Sequence, residues 1–274
     1  MEKKEFNYEE PVEIAEGIYW VGYADKYAGF HCNPYLIIEG DEAVLIDSGS
    51  RNDFSTVMLK IMRTGTDPKK ITRLIHHHYD PDLCGNIPHM ESMISNPDLK
   101  IISHRENNIF IKYFSAKSPL LCIEKIDFCY EFASGRRLEF IYVPYCHAPG
   151  NFITYDTKTK VLFSSDIFGA YDSNWTFYAH ITEDCLNCES KTGCKTTGSD
   201  KCQLLGMVDF HKCIMPSSEA LKYALSKIEK LDISVIAPQH GSIFTTAASK
   251  KAAIKRLKML DKVGFESYIE GKDI

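Results

Sequence analysis

The sequence predicts an α/β protein built as a four-layer α/β/β/α sandwich. Three observations lead there. Strand-like and helix-like segments alternate through both halves of the chain. The N-terminal half opens in a meander of strands rich in aromatic and β-branched residues. Each β-rich half also carries amphipathic helices able to cover a sheet. With 274 residues and 44% hydrophobic composition, the chain can bury a substantial core, and a single domain over residues 1–274 is expected.

Taken in order, GIYWVGY (Gly17 to Tyr23) and NPYLIIEG (Asn33 to Gly40) read as the first strands. Gly40 and Asp41 turn the chain into EAVLIDSGS, from Glu42 to Ser50. Between Asp53 and Thr64 the spacing of Phe54, Val57, Met58, Ile61 and Met62 predicts a helix with those residues on its buried face. ITRLI is the next strand, a helix is expected from near Gly85, and KIISH (Lys100 to His104) is a short strand. Strand signals return at LEFIYVPY, NFITYD and KVLFSSD, with YDTKTKV (Tyr155 to Val161) as a hairpin with a polar tip. A helix over Ser217 to Lys230 places Leu221, Ala224, Leu225 and Ile228 on one face. Strand VIAPQHG and a Lys-rich C-terminal helix follow.

A net charge of -5 gives no electrostatic reason to expect nucleic acid or an anionic membrane surface. No apolar run approaches a membrane span, and MEKKEFNYEEPVEI lacks the apolar stretch of a signal peptide, so a cytoplasmic location is expected. Ten cysteines in such a protein do not suggest a disulfide framework. Cys32, Cys84, Cys122, Cys129, Cys146 and Cys213 are scattered and read as small core residues.

The chemistry lies at the strand ends. Asp47 ends VLID, His76 to Asp80 follow LI, His147 follows FIYVPYC, Asp166 ends VLFSSD, and His240 ends VIAPQ. An isolated histidine at a strand end is usually a hydrogen-bonded structural residue, and an aspartate before Gly or Ser is usually a turn residue. Five strand exits supplying His or Asp together point instead to a divalent metal, whose ligands are neutral imidazole and ionised carboxylate. In extended backbone His76, His78 and Asp80 share one face of HHHYD, leaving His77 and Tyr79 on the other. His77 is therefore expected to be packed or hydrogen-bonded away from the metal.

HHHYDPDLCG, CHAPGN, VLFSSDIFG and IAPQHG resemble the four ligand-bearing segments of the metallo-β-lactamase fold, and within it the di-iron branch typified by flavodiiron proteins. The resemblance runs from about Gly17 to Phe244. It implies that His76, His78 and His147 bind one iron, that Asp80 and His240 bind a second, and that Asp166 bridges them. Asp47 would steady the histidine strand from outside the ligand set.

This chain departs from the pattern in two places. His78 stands where flavodiiron proteins carry glutamate, replacing an anionic ligand with a neutral one. Pro81 stands where hydrolytic members carry histidine, so the second metal loses a ligand. Asp82 either compensates or caps the following helix, and the cap is the favoured reading. No Gly-rich loop of the flavodoxin kind is present, so no FMN is expected. With these features the chain most resembles the stand-alone oxygen-binding di-iron (ODP-type) sensor proteins associated with chemotaxis. Tyr79 or Tyr178 could hydrogen-bond bound oxygen, the alternative for each being a packed aromatic.

The segment over residues 183–204 holds Cys185, Cys188, Cys194 and Cys202 in a polar, glycine-containing stretch. C-x-x-C suits zinc or an iron–sulfur unit, but the later spacings are irregular. Structural metal, redox pair and uncommitted thiols all stay open. The resemblance thus implies a dioxygen-binding di-iron sensor acting on a signalling partner such as a chemotaxis kinase complex, with a homodimer by analogy. An oxygen or nitric oxide reductase fed by a rubredoxin-like donor is the first alternative. A dizinc hydrolase is the second.

Overall fold

The apolar runs of the N-terminal half form the strands they predict. The computed structural model describes residues 7–24, 32–171, 175–188, 190, 192–195 and 202–269. These divide between Leu138 and Glu139 into two compact units, each with its own core.

The first unit carries a seven-stranded sheet whose strands lie in sequence order. β1 (Val12–Ala15), β2 (Ile18–Trp20), β3 (Tyr35–Glu39) and β4 (Glu42–Ile46) form the antiparallel meander. Gly40 takes φ +60° in the two-residue turn that pairs Glu39 with Glu42. β5 (Ile71–Ile75), β6 (Lys100–Ser103) and β7 (Leu120–Cys122) continue the sheet in parallel. Ile71, Leu74 and Ile75 are fully buried, as a central parallel strand requires.

Helices α1 (Phe54–Arg63), α2 (Pro81–Cys84), α3 (Ile87–Ile94) and α4 (Arg105–Ile111) supply the crossovers. Val57, Met58 and Ile61 of α1 join Ile87, Met90 and Ile94 of α3 in the core. Met62, expected on the buried face, is 52% exposed. The helix expected from near Gly85 is α3, and the short α2 before it was not anticipated. The ring nitrogen of Pro88 has no hydrogen to donate back to Cys84, so the ladder cannot run through, and α3 starts anew.

The second sheet has five strands in the order β12-β11-β10-β9-β8. They are β8 (Cys129–Glu131), β9 (Arg137–Tyr142), β10 (Phe152–Asp156), β11 (Val161–Phe163) and β12 (Val235–Ala237), and the division between units falls within β9. β10 and β11 form the expected hairpin, with Asp156 opposite Val161 and the Thr159 amide donating to Asp156 Oδ2 at 3.0 Å. β11 then pairs in parallel with β12.

Around this sheet lie α5 (Gln203–Ile214), α6 (Ser218–Ile228), α7 (Ala247–Lys258) and α8 (Phe265–Ile269). Leu221, Ala224, Leu225 and Ile228 of α6 are fully buried, and Ser217 Oγ accepts from the Ala220 amide as its cap. The sequence reading did not anticipate α5, which Gly206 disguises. A Cβ there would meet the Tyr171 carbonyl oxygen at 2.7 Å, so glycine answers a close approach rather than a turn. Cys213 on α5 is exposed, not the core residue expected, while Cys122 and Cys129 are half-buried. No helix among the described residues is long and apolar enough to cross a membrane.

Truncating Leu225 to alanine should lower unfolding stability by about 2–5 kcal/mol, and truncating Met62 by well under ~1 kcal/mol. Urea denaturation of the two variants checks this. Equal losses would contradict the burial pattern.

Candidate metal centre

In the first unit the donors follow directly from the end of β5. The ladder extends one residue beyond the strand, with the His76 amide donating to the Ile102 carbonyl at 3.0 Å. Ser103 Oγ donates to the His76 carbonyl at 2.5 Å, and Asn107 Nδ2 donates to the His77 carbonyl at 3.0 Å. The backbone of the histidine run is thus fixed by the next strand and α4.

Asp47, at the end of β4, holds the run from the other side. Its backbone takes φ +50°, a left-handed conformation that aspartate tolerates better than most residues. Its Oδ1 accepts the His77 amide at 3.1 Å, and Oδ2 lies 2.6 Å from His77 Nδ1. His77 is therefore hydrogen-bonded to Asp47, the hydrogen-bonded of the two alternatives, packed or hydrogen-bonded, left open for it.

His76 and His78 are fully buried. Neither ring nitrogen of His76 has a hydrogen-bond partner among the described residues. Burial pushes its pKa down to about 4 against the opposing pull of Asp47, so the ring is neutral and its lone pair available. His78 Nε2 lies 3.8 Å from Asp80 Oδ2. His78, Asp80 and Asp82 each offer a ligand atom within 4.8 Å of the others. Asp82 was expected to cap α2. The cap position belongs to Asp80, whose side chain makes no capping bond, and Asp82 is the second residue of the helix, within its first turn. Cys32, expected to be an ordinary core residue, donates its Sγ–H to Asp82 Oδ2 at 3.8 Å.

In the second unit the donors gather around Asp166. His147 Nε2 lies 3.1 Å from Asp166 Oδ2, and His240 Nε2 lies 3.7 Å from Asp166 Oδ1. The loop after β11 that carries Asp166 is conformationally demanding, with positive φ at Ser165 and Phe168. At Gly169 a Cβ would meet the Phe210 ring at 2.7 Å and the Asp166 carbonyl oxygen at 2.9 Å. The Phe168 amide donates to Nε2 of His211, whose Nδ1 faces the Met207 carbonyl at 2.7 Å. His211 is thus a fully buried, hydrogen-bonded neutral histidine, its pKa pushed down to about 4 by burial.

Of the six predicted ligands, His78 and Asp80 come together in the first unit and His147, Asp166 and His240 in the second, while His76 stands two residues before His78 on the same run. Asp47 sits against His77. Tyr79 stacks on Phe110 with ring centroids 4.5 Å apart, and Tyr178 packs edge-on against Phe177 and bridges to Ile243. The sequence reading passed over Cys32, and it passed over Gln239, a buried residue with neither side-chain amide atom partnered among the described residues. Only the position of Gln239 beside His240 could have drawn attention to it. The neutral, buried His76, together with His78 beside Asp80 and Asp82 and the two histidines flanking Asp166, offers the imidazole and carboxylate donors of a divalent metal centre, so the residues present fit such ions.

Comparison with known proteins agrees. Residues 30–241 match the family described as ODP family beta lactamase. The chain is similar to an uncharacterized protein of Methanocaldococcus jannaschii, 28% identical over 244 residues, covering 85% of this chain and 56% of that protein. It is also similar to a nitric oxide reductase of Moorella thermoacetica, 25% identical over 258 residues, covering 86% of this chain and 58% of that protein. The chain thus spans less than two thirds of these relatives' own length.

Among solved structures it resembles the flavodiiron protein from Giardia intestinalis at a TM-score of 0.74 and 21% identity, covering 91% of this chain and 59% of that one. It resembles a peroxy di-iron species of the chemotaxis sensor ODP at 0.72 and 23%, covering 95% and 98%. The fold is that of the metallo-β-lactamases, in the form of the flavodiiron cores, as the four motifs implied.

The two low histidine pKa values set a pH dependence. His76 and His211 stay neutral in the folded state down to about pH 4, against an ordinary value of 6.5. Between those values the unfolded chain binds protons that the folded chain refuses, so stability falls as pH drops through that window. The urea midpoint of metal-free protein should be lower at pH 5 than at pH 7. An unchanged midpoint would contradict the neutral, buried state of these rings.

Proposed function

The chain belongs to the ODP family of beta lactamase-fold proteins, and on that premise we propose that His76, His78, Asp80, His147, Asp166 and His240 hold two iron ions at which dioxygen binds as a sensory signal. The observation that carries this reading is the fully buried His76, with both ring nitrogens unpartnered among the described residues, two positions before His78 and its neighbours Asp80 and Asp82. Asp166, with a histidine beside each of its carboxylate oxygens in its own unit, is the bridging candidate. A bridging anion screens two dications that must sit close together. The ions, when bound, supply the electron-rich centre that captures dioxygen.

This chain's own residues do the rest. Burial keeps the His76 ring neutral, Asp47 anchors the adjacent His77, and Ser103 and Asn107 hold the backbone of the run in place. Asp82, with a ligand atom within 4.8 Å of those of His78 and Asp80, would supply a further carboxylate where Pro81 offers no ligand. The partner this reading calls for is a chemotaxis-type kinase complex, with the chain acting as a homodimer in the cytoplasm.

The likeness to a nitric oxide reductase supports a second reading, in which the same centre reduces oxygen or nitric oxide with electrons from an external rubredoxin-like donor. Hydrolysis at two zinc ions is disfavoured by Pro81, which offers no ligand where hydrolytic members carry histidine.

Anaerobic ferrous protein exposed to air should develop a near-ultraviolet or visible charge-transfer band without sustained oxygen consumption. Continuous turnover of NADH through an added rubredoxin and its reductase would favour the reductase instead. Two zinc ions in a colourless, active esterase would remove both iron readings. Asp82→Asn should weaken retention of one iron by about 10–100-fold, judged by metal analysis after dialysis against a chelator. Unaltered retention would leave Asp82 outside the ligand set.

A further inference from the structure

The four cysteines of the 183–204 segment do not come together: among the described residues no three of their sulfurs lie within 4.8 Å of one another. Another feature of the second unit that the histidine–carboxylate chemistry leaves unused is a groove of about 700 Å³ between α6, α7 and β12. We propose that this groove docks an acidic amphipathic helix of a partner protein.

The floor of the groove is apolar. Ile228 of α6 and Ile236 of β12 are fully buried, Leu231, Ile233 and Ile254 are half-buried, and Met259 is 54% exposed. Together they offer the apolar stripe of a partner helix a surface to cover.

The walls are cationic. Ala247, Lys250, Lys251, Ile254, Lys255 and Lys258 all line the groove, so one face of α7 carries four lysines over about 12 Å of helix. Glu229 is the only acidic residue lining it among the described residues. In a chain of net charge -5, this concentration of positive charge runs against the composition and calls for an anionic partner. Lys258 pairs with Glu229 at 2.9 Å, an exposed contact that water screens. Among the described residues the other three lysines form no ion pair. Lys250 Nζ donates to the Ile233 and Ser234 carbonyls at 2.7 Å each, fixing α7 against the segment before β12, and Lys255 Nζ donates to Asn187 Oδ1 at 3.0 Å.

Two observations select a helix as the occupant. β12 is the last strand of its sheet, but Ile236 and Phe244 already exchange amide-to-carbonyl hydrogen bonds at 2.9 Å in both directions. That stretch of edge is therefore closed to an added strand. Lys251, Lys255 and Lys258 recur at i, i+4 and i+7, a row along α7 rather than the cluster that one anionic headgroup would need. A helix laid along α7 meets this row with carboxylates at the same repeat. Ile236 stands four residues before His240 on the segment that delivers that ligand. The inference rests on the signalling reading for what the contact reports, whereas the docking itself needs no iron.

The test uses the full, iron-loaded chain and a fluorescent synthetic peptide of about four helical turns, with leucine on one face and glutamate on both flanks. Fluorescence anisotropy should show saturable binding that weakens as salt is raised. Lys251→Glu/Lys255→Glu should weaken it by about tenfold or more, and Met259→Ser by about threefold or more. Lys100→Glu/Lys117→Glu, the same charge change on the first unit, should leave it unaltered. Iron content measured on the same samples separates the two readings. A chain that binds the peptide but no iron overturns only the iron reading, and one that holds iron but ignores the peptide overturns only this proposal. Equal binding of a peptide with lysine in place of glutamate, or an equal loss in the first-unit variant, would also overturn it. So would a homodimer split by Lys251→Glu/Lys255→Glu, or sedimentation with phosphatidylglycerol vesicles through the same lysines, since either gives the groove to another occupant.

Discussion

A fully buried imidazole with neither nitrogen hydrogen-bonded is the constraint on which the rest of this structure turns. Leaving a buried polar group unsatisfied costs about 1–3 kcal/mol, and His76 leaves two ring nitrogens in that condition among the described residues. The surroundings hold it there rather than relieve it. β5 is locked between β4 and β6, the His76 amide extends the ladder, and its carbonyl is taken by Ser103. Asp47 accepts a left-handed backbone to bond His77 instead. The cation proposed for this ring would be the partner that makes this arrangement favourable.

The second unit shows two opposite outcomes among three histidines. His211 is equally buried but satisfied at both ring nitrogens, which makes it a strut for the loop that carries Asp166. His147 and His240 instead have ring nitrogens beside the carboxylate of Asp166. Burial alone therefore does not identify a ligand. A neighbouring carboxylate does not either, since Asp47 holds the buried His77 in a structural role; what sets the proposed ligands apart is their place at strand ends, beside Asp80 or around Asp166.

Much of this was legible in the sequence because periodicity and strand ends record it. Alternation through HHHYD separated His77 from its neighbours, and the run ITRLI announced a strand ending at the histidines. The elements that escaped notice share a cause, which is that tertiary contact overrode the local signal. Gly206 hides α5 because the reason for the glycine is the Tyr171 carbonyl, far away in sequence. Met62 satisfies a helical stripe yet faces solvent. Asp82 looked like a cap because aspartate near a helix start usually is one, but Asp80 already holds that position without using its side chain. The contact of Cys32 with Asp82 spans 50 residues, and no local pattern could have shown it.

Anomalous diffraction at the iron edge, from crystals of the anaerobically iron-loaded chain, tests the central claim most directly. Two peaks a few ångströms apart, contacted by His76, His78, Asp80, His147, Asp166 and His240, are the expected result. A single peak, or iron bound away from His76 and Asp166, would contradict the account.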